Sequence, residues 1–408
     1  MKFFSAAITA SAIALSTLSS ANAQQTQPRC SSIVTRKEIL SLSSSEWDLV
    51  KGVYAGMQRD GWFQWFAYLH NTWFGQIHGN SQFFPFHRRF VQDWESVGQR
   101  YNRAFAQPYW DEMRDYRVPA SSQVLTSAWV GGNGQSNNCV TNGVQANWQM
   151  TYPNAHCLRR QFGNNGNPTS WYSPEYIQSF IQRDTTMAQF RPDLEYSLHG
   201  VVHINIGGDM YQTYSPNDVI FWLHHANLDR IWWQWQNVVS SNGARNNMWR
   251  MDGPNFDNSA ISLSSNVVAY NEPINTVMQL GYGKMCFQYT NAPGPASAMS
   301  RRSGSTDLVN SVASGITNLI SNVASTLNSD KALLEKWFPK TAEEVANHSI
   351  VPVAALWAGN KKEIPYPATL TPQWIAMHKF KQAEVQRVEN DARQFVNDMK
   401  KVGYKSPY

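Results

Sequence analysis

The chain has 408 residues, 42% of them hydrophobic and 15% charged, with a formal charge of +5. That balance describes a globular protein with material for a sizeable core and excludes a disordered chain. Lys and Arg are scattered, with pairs such as Arg88-Arg89 but no basic stripe, so nothing points to nucleic acid as a partner.

Lys2, the apolar run from Phe3 to Leu18 and Ala21-Asn22-Ala23 read as a signal peptide over residues 1–23, cut after Ala23. The run is too short and too interrupted by Ser and Thr for a membrane anchor, and no later segment is apolar enough to span a bilayer. The expectation is a soluble, secreted chain without a membrane partner.

Residues 24–290 read as one domain that mixes helices with long surface loops. Helices are expected over 61–73, 85–103, 191–205 and about 217–238. Pro85 suits a first helical turn, where its missing N–H costs nothing, and Ser215-Pro216-Asn217-Asp218 is a start signal for the fourth. The stretch 130–170, rich in Gly, Asn and Ser, reads as surface loop. Residues 291–306, with Ala292-Pro293-Gly294-Pro295 and Ser300-Arg301-Arg302-Ser303-Gly304, have the composition of a linker.

Residues 307–408 read as a helical C-terminal extension. Leu308, Val312, Ile316, Leu319, Val323 and Leu327 recur at helical spacing, and a second helix is expected over 372–401. Two readings of this extension stay open. It is a helical annex packed on the main domain, or a cover over an active site that proteolysis at Arg301-Arg302 removes. Asn347-His348-Ser349 is an N-glycosylation sequon.

Four cysteines, Cys30, Cys139, Cys157 and Cys286, suit two disulfides in an exported chain, with three pairings open. Cys139–Cys157 would close a short Gly/Asn-rich loop, and Cys30–Cys286 would tie the two ends of the main domain; that pairing is favoured. No two cysteines have the close spacing of a zinc site.

Seven of the ten histidines fall in two clusters: His70, His78 and His87, then His199, His203 and the pair His224-His225. His156, His348 and His378 stand apart. The i,i+4 spacing of His199 and His203 places both imidazoles on one helix face, and His225 on the next helix completes three. Spacings of eight and nine residues in the first cluster put His78, followed by Gly79, in a loop between two helices that carry His70 and His87. Two helix pairs, each giving three imidazoles, would face one another across a bundle core. Three neutral imidazoles without thiolate or carboxylate suit copper, zinc or iron. Asn227 and Asp229 are candidates for holding the far ring nitrogens.

Ile77-His78-Gly79 with Phe83-Phe84-Pro85-Phe86-His87-Arg88-Arg89-Phe90, and the run from Asn217 through His224-His225-Ala226-Asn227-Leu228-Asp229-Arg230 to Trp232, resemble the two copper signatures of the tyrosinase/catechol oxidase family. The resemblance covers roughly residues 28–290, with Arg36 and the stretch 282–289 similar to the ends that close the family domain. His156-Cys157-Leu158-Arg159-Arg160 is similar to a structural loop of its short fungal members. It implies a mainly α fold, a four-helix bundle enclosing two copper ions held by His70, His78, His87, His199, His203 and His225, with His224 behind them. It also implies an oxidase that turns o-diphenols or aminophenols into o-quinones with dioxygen, in fungal pigment or secondary metabolism. Phe221 would stack on a ligand ring, and Thr213 and Tyr214 would lie at the mouth of the substrate pocket.

The departures matter. The family position that often carries Asn is Gly200, and no carboxylate stands eight to ten residues before His199, though Asp193 and Glu195 are close in sequence, so the expectation is weak or no monophenol hydroxylation. Gln76 stands where many members carry a thioether-forming Cys. Two other readings stay open: a zinc-dependent, non-redox member of the fold acting on a small metabolite, and an oxygen carrier whose copper pair is too covered to turn over phenols.

Overall fold

A computed structural model describes residues 27–163, 169–238, 247–290, 319–348 and 361–408. The expected signal peptide (1–23), the linker (291–306) with Arg301-Arg302, and Ser349 of the sequon lie outside the described residues.

The architecture is mainly helical, as expected. Helix α1 (Ser44–Arg59) has no counterpart in the sequence reading, although Ser43 and Glu46 form a reciprocal capping box at its start. Helix α2 (Trp62–Ile77) leaves from Gly61, whose φ of +82° is glycine territory. Helix α3 (Phe83–Tyr101) begins two residues before Pro85, which sits in the first turn. Then come α4 (Pro174–Arg183), α5 (Met187–Leu194), a π-helical segment Glu195–His199, α6 (Gly200–Ile206) and α7 (Val219–Gln236), the last capped by Asp218.

Helix α7 is buried almost all round, with Val219 through Trp232 inside the protein, as a helix at the centre of a bundle must be. Aromatic rings lock it to its neighbours. Trp222 stacks on Trp94 of α3 at 3.9 Å between centroids and meets Phe66 of α2 edge-on at 5.3 Å.

The two ends of this body are joined. Strand β1 (Val34–Arg36) pairs in parallel with the distant strand Phe287–Tyr289, and the Cys30–Cys286 disulfide lies beside the pairing. The second disulfide is Cys139–Cys157. Both pairings are those favoured from the sequence.

A buried ionic network crosses the same region. Arg36 Nε donates to Glu95 at 2.9 Å, Arg88 Nε donates to Asp229 at 2.5 Å, and Tyr289 Oη donates to Asp229 at 2.6 Å. Arg36 in turn donates to Tyr289 Oη at 2.8 Å, so α3, α7 and both terminal strands share one set of charges. Asp229, expected to hold a ring nitrogen, is committed here instead. It lies one turn beyond His225, and its carboxylate turns away from the histidines toward two buried guanidinium groups.

The C-terminal extension is helical: α8 (residues 319–327 as far as it is described), α9 (Lys331–Trp337), α10 (Pro339–Ala346), α11 (Pro372–His378) and α12 (Gln382–Lys401). The single helix expected over 372–401 is broken. Lys379 adopts the left-handed conformation at φ 54°, with Lys379 N–H donating to Ala376 O and Phe380 N–H to Ile375 O. That is a Schellman-type stop, reached here without glycine. Apolar spacing ran on through the break, which is why the sequence reading missed it. Helix α12 docks through Val385, Val388, Phe395 and Met399, and its Arg387 and Asp391 pair with Asp193 and Arg183 of the main body at 2.6 and 2.8 Å.

Asp229→Ala would take the carboxylate from buried Arg88 and the acceptor from Tyr289 Oη. Removing one partner of a buried ionic network costs about 3–5 kcal/mol, so the expected outcome is a clear fall in the urea midpoint. A midpoint equal to wild type would refute that role.

Candidate metal centre

Six imidazoles converge from four pieces of helix. His70 comes from α2, His87 from α3, and His78 from the residue that ends α2, where the chain has already turned extended (φ −126°). Gly79, at φ +72°, turns the backbone onward. Ring centroids within this first group lie 5.2, 5.6 and 5.2 Å apart, and one nitrogen of each ring falls within 4.8 Å of the others. The loop position expected for His78 is therefore observed.

In the second group, His199 ends the π-helical segment and His203 lies on α6, their rings 4.7 Å apart. Two neighbours on α7 approach them. His199, His203 and His224 form a compact set of ring nitrogens, whereas His225 Nε2 lies 3.4 Å from His203 Nε2. Distance alone does not choose between His224 and His225. Their surroundings differ. His224 Nδ1 donates to Glu112 Oε1 at 2.7 Å, while the His225 ring lies between the two groups, stacked on His87 at 4.3 Å and 5.6 Å from His203.

The far ring nitrogens are held by the backbone. Nδ1 of His70, His78, His87, His199 and His203 faces the carbonyls of Thr213, Phe74, Phe83, Glu195 and Met210 at 2.7, 3.0, 2.7, 3.3 and 2.6 Å. A carbonyl accepts only from N–H, so each neutral ring carries its proton on Nδ1 and presents the Nε2 lone pair inward. Nε2 of His70 and of His87 is buried with no hydrogen-bond partner among the described residues. Buried polar atoms left this way are costly, and a cation bound by both groups accounts for them. Burial lowers the His70 imidazole to about 4 and holds His78, His87, His199, His203 and His225 well below their usual value. The rings are neutral, as metal ligands must be.

The other expected residues take up varied places. Phe221 packs against His225 at 4.1 Å and His70 at 5.1 Å. Asn227 supports the centre indirectly: its amide donates to Glu112, and its oxygen accepts from Arg230. Thr213 contributes its carbonyl to His70, and its hydroxyl donates to Asn71. At Gly200 an added Cβ would stand 2.4 Å from Leu370 Cδ2 of the C-terminal extension, so that extension fills the room left where the family often carries Asn.

Sequence reasoning missed one carboxylate, Glu112, and placed another, Glu195, only as close in sequence to the expected position. Glu112, on a short 3-10 turn, is fully buried between His224 and Asn227, and burial pushes its carboxyl well up. Glu195 accepts Gly79 N–H at 2.8 Å and pairs with Arg191 at 2.6 Å; burial outweighs the Arg191 charge and pushes its carboxyl up to about 7. The partners of Glu112 lie far off in sequence, and although Arg191 stands four residues before Glu195, nothing local marks the bond from Gly79 N–H.

It also missed the covering residues. His378, taken as isolated, lies 5.1 Å from His78 and 6.4 Å from His199. Trp374 lies 5.4 Å from His203. Both belong to α11.

Residues 59–238 match the model of the common central domain of tyrosinase. The chain is 30% identical over 250 residues to the tyrosinase-like protein phomQ2 of Diaporthe leptostromiformis, over 55% of this chain and 62% of that one. It thus spans about three fifths of that relative's length. It is 30% identical over 230 residues to a tyrosinase of Streptomyces glaucescens, covering 50% of this chain and 83% of that one. A polyphenol oxidase structure from Thermothelomyces thermophila superimposes with a TM-score of 0.56 at 22% identity, over 64% of this chain and 90% of that chain, which marks a common fold.

Glu112→Ala would leave the His224 and Asn227 donors buried without an acceptor. The expected loss is about 1–3 kcal/mol for each such group, measured by chemical denaturation; an unchanged midpoint would show that the carboxylate holds nothing.

Proposed function

The chain belongs to the tyrosinase family, and from that premise we propose that it is a copper-dependent oxidase of o-diphenols or aminophenols, giving o-quinones with dioxygen. The observation that carries the reading is the convergence of two groups of buried imidazoles, five of which have Nδ1 spent on a backbone carbonyl. His70, His78 and His87 would hold one ion, and His199, His203 and His225 the other. His225 is preferred to His224 because its Nε2 lies beside that of His203 and its ring stands between the groups. His224 is instead held by Glu112, which fixes the start of the helix that aims His225.

When bound, a copper pair supplies and accepts two electrons, the number needed both to reduce dioxygen to the peroxide level and to oxidise a catechol to its quinone. The protein's own residues do the rest. Phe221, Phe83 and Phe90 surround the rings and keep water out, which leaves few competing ligands. The carbonyls keep His70, His78, His87, His199 and His203 in one tautomer and orientation. Both oxygens of Glu195 are taken, one by Gly79 N–H and one by Arg191. That supports the expectation of weak or no monophenol hydroxylation, since no free carboxylate among the described residues is placed to take a phenol proton.

Residues 24–290 form the catalytic unit in this reading, and the C-terminal extension is its cover. Leu370 against Gly200, Trp374 beside His203 and Phe380 over Gly79 support it. Export follows from the N-terminal pattern and is in keeping with two closed disulfides. Among the described residues no helix is long and apolar enough to cross a membrane.

Metal analysis after expression with both copper and zinc should give two coppers per chain; two zincs would end the oxidase reading. His203→Ala and His225→Ala should each lose one metal, while His224→Ala keeps two. Full occupancy in His225→Ala would reverse the choice between the neighbours. Cleavage within residues 291–318, with removal of the tail, should raise turnover of a small catechol; unchanged kinetics would leave the extension a packing element.

A further inference from the structure

We infer that His378, delivered by the C-terminal extension, is a seventh imidazole donor to the metal pair. The inference rests on the dinuclear metal reading above and adds a ligand that lies outside both sequence clusters.

Three observations carry it. The first is position. The His378 ring lies 5.1 Å from His78, as close as the rings of the first triad lie to one another, and 6.4 Å from His199 of the second triad. The ring therefore lies near one member of each group.

The second is its tautomer. His378 Nδ1 faces the carbonyl of Trp374, one turn earlier on the same helix, at 3.0 Å. His78, His87 and His199 are held in the same way by Phe74, Phe83 and Glu195. As in those residues, the proton sits on Nδ1 and the Nε2 lone pair is left over. Among the described residues that Nε2 has no hydrogen bond.

The third is its surroundings. Trp374, Phe74 and Phe380 enclose the ring at 4.0, 4.7 and 4.8 Å, and the residue is 5% exposed. A ring whose only task is to fill a gap between aromatics is better made of carbon, whereas an imidazole with Nδ1 already spent on a carbonyl keeps Nε2 as a donor. The backbone also holds it in place. Lys379, next in the chain, takes the left-handed conformation that non-glycine residues seldom adopt. That turn sets Phe380 against Gly79, 3.3 Å from where a Cβ would stand. At the other end of α11, Thr371 caps the helix and its hydroxyl meets Tyr211 Oη at 3.1 Å. The helix is thus clamped at both ends with His378 directed at the centre. An oxidisable ligand would have to displace a nitrogen donor, and not only an apolar plug, to reach the metals.

The test uses the full chain loaded with cobalt(II), whose visible ligand-field bands report coordination number. Wild type, His378→Phe and His378→Gly are compared for metal per chain, band intensity and the rate at which a chelator withdraws metal. All three should hold two metals, because the six clustered histidines are untouched; failure of wild type to bind metal would overturn the metal reading itself. With two metals bound, His378→Phe should change the spectrum and release one of the two at least about tenfold faster. Added imidazole should restore the wild-type spectrum in His378→Gly. Identical spectra and release rates in wild type and His378→Phe would overturn the inference. Should the variants fail to fold, the wild-type spectrum taken before and after cleavage within residues 291–318 decides instead: a change upon tail release supports a tail ligand, and none refutes it.

Discussion

The carbonyls of Phe74, Phe83, Glu195, Met210 and Thr213 each take one nitrogen of a buried imidazole. Much of the architecture exists to make that possible. Three of these carbonyls lie one turn before the histidine they serve, so helix geometry supplies them without any special residue. The other two must come from elsewhere. Met210 and Thr213 lie in the short turns that link α6 to α7, and their carbonyls reach His203 and His70 only because those turns are packed against both helices.

Holding so many neutral rings in a dry interior demands rigidity around them. Helix α7 provides it by being buried on nearly every side, with Trp222 stacked on Trp94 and Arg88 bound to Asp229. Buried charges are expensive in themselves. Here they connect α3, α7 and the paired terminal strands, so a displacement in any of these would break hydrogen bonds to buried guanidinium groups. The Cys30–Cys286 disulfide closes the same seam. The centre is therefore surrounded by elements that cannot shift one at a time.

The C-terminal extension meets this rigid body where the body leaves room. Gly200 has no side chain, and Leu370 occupies the space; Gly79 has none, and Phe380 packs over it. On the outer side, Arg387 and Asp391 pair with Asp193 and Arg183. Apolar contacts face the centre and ion pairs face the solvent. A segment bound this way is held mainly by its buried apolar side chains, Trp374, Val388, Phe395 and Met399 among them, while the charges on its outer side are screened by salt.

Much of the body was legible in the sequence. Histidine spacing marked the two clusters whose rings converge, though not which of His224 and His225 belongs to the second group, and the helices that carry His70, His87 and the pair His224-His225 fell close to their expected positions, because each depends on residues near one another in the chain. Gly79 marked the turn after His78 for the same reason. The favoured disulfide pairing held as well. What stayed illegible depends on contacts between distant segments. Glu112 beside His224, Asp229 turned toward Arg36 and Arg88, and Lys379 breaking an unbroken apolar pattern have no local signature. His378 is the clearest case: alone in its stretch of sequence, it becomes part of the centre only when α11 folds across Gly200 and His78. Local periodicity fixes which side chains share a helix face. Which faces meet, and which far nitrogen or carboxylate they find there, was decided by tertiary packing, because a contact across some three hundred residues of chain leaves no trace in the spacing of either partner.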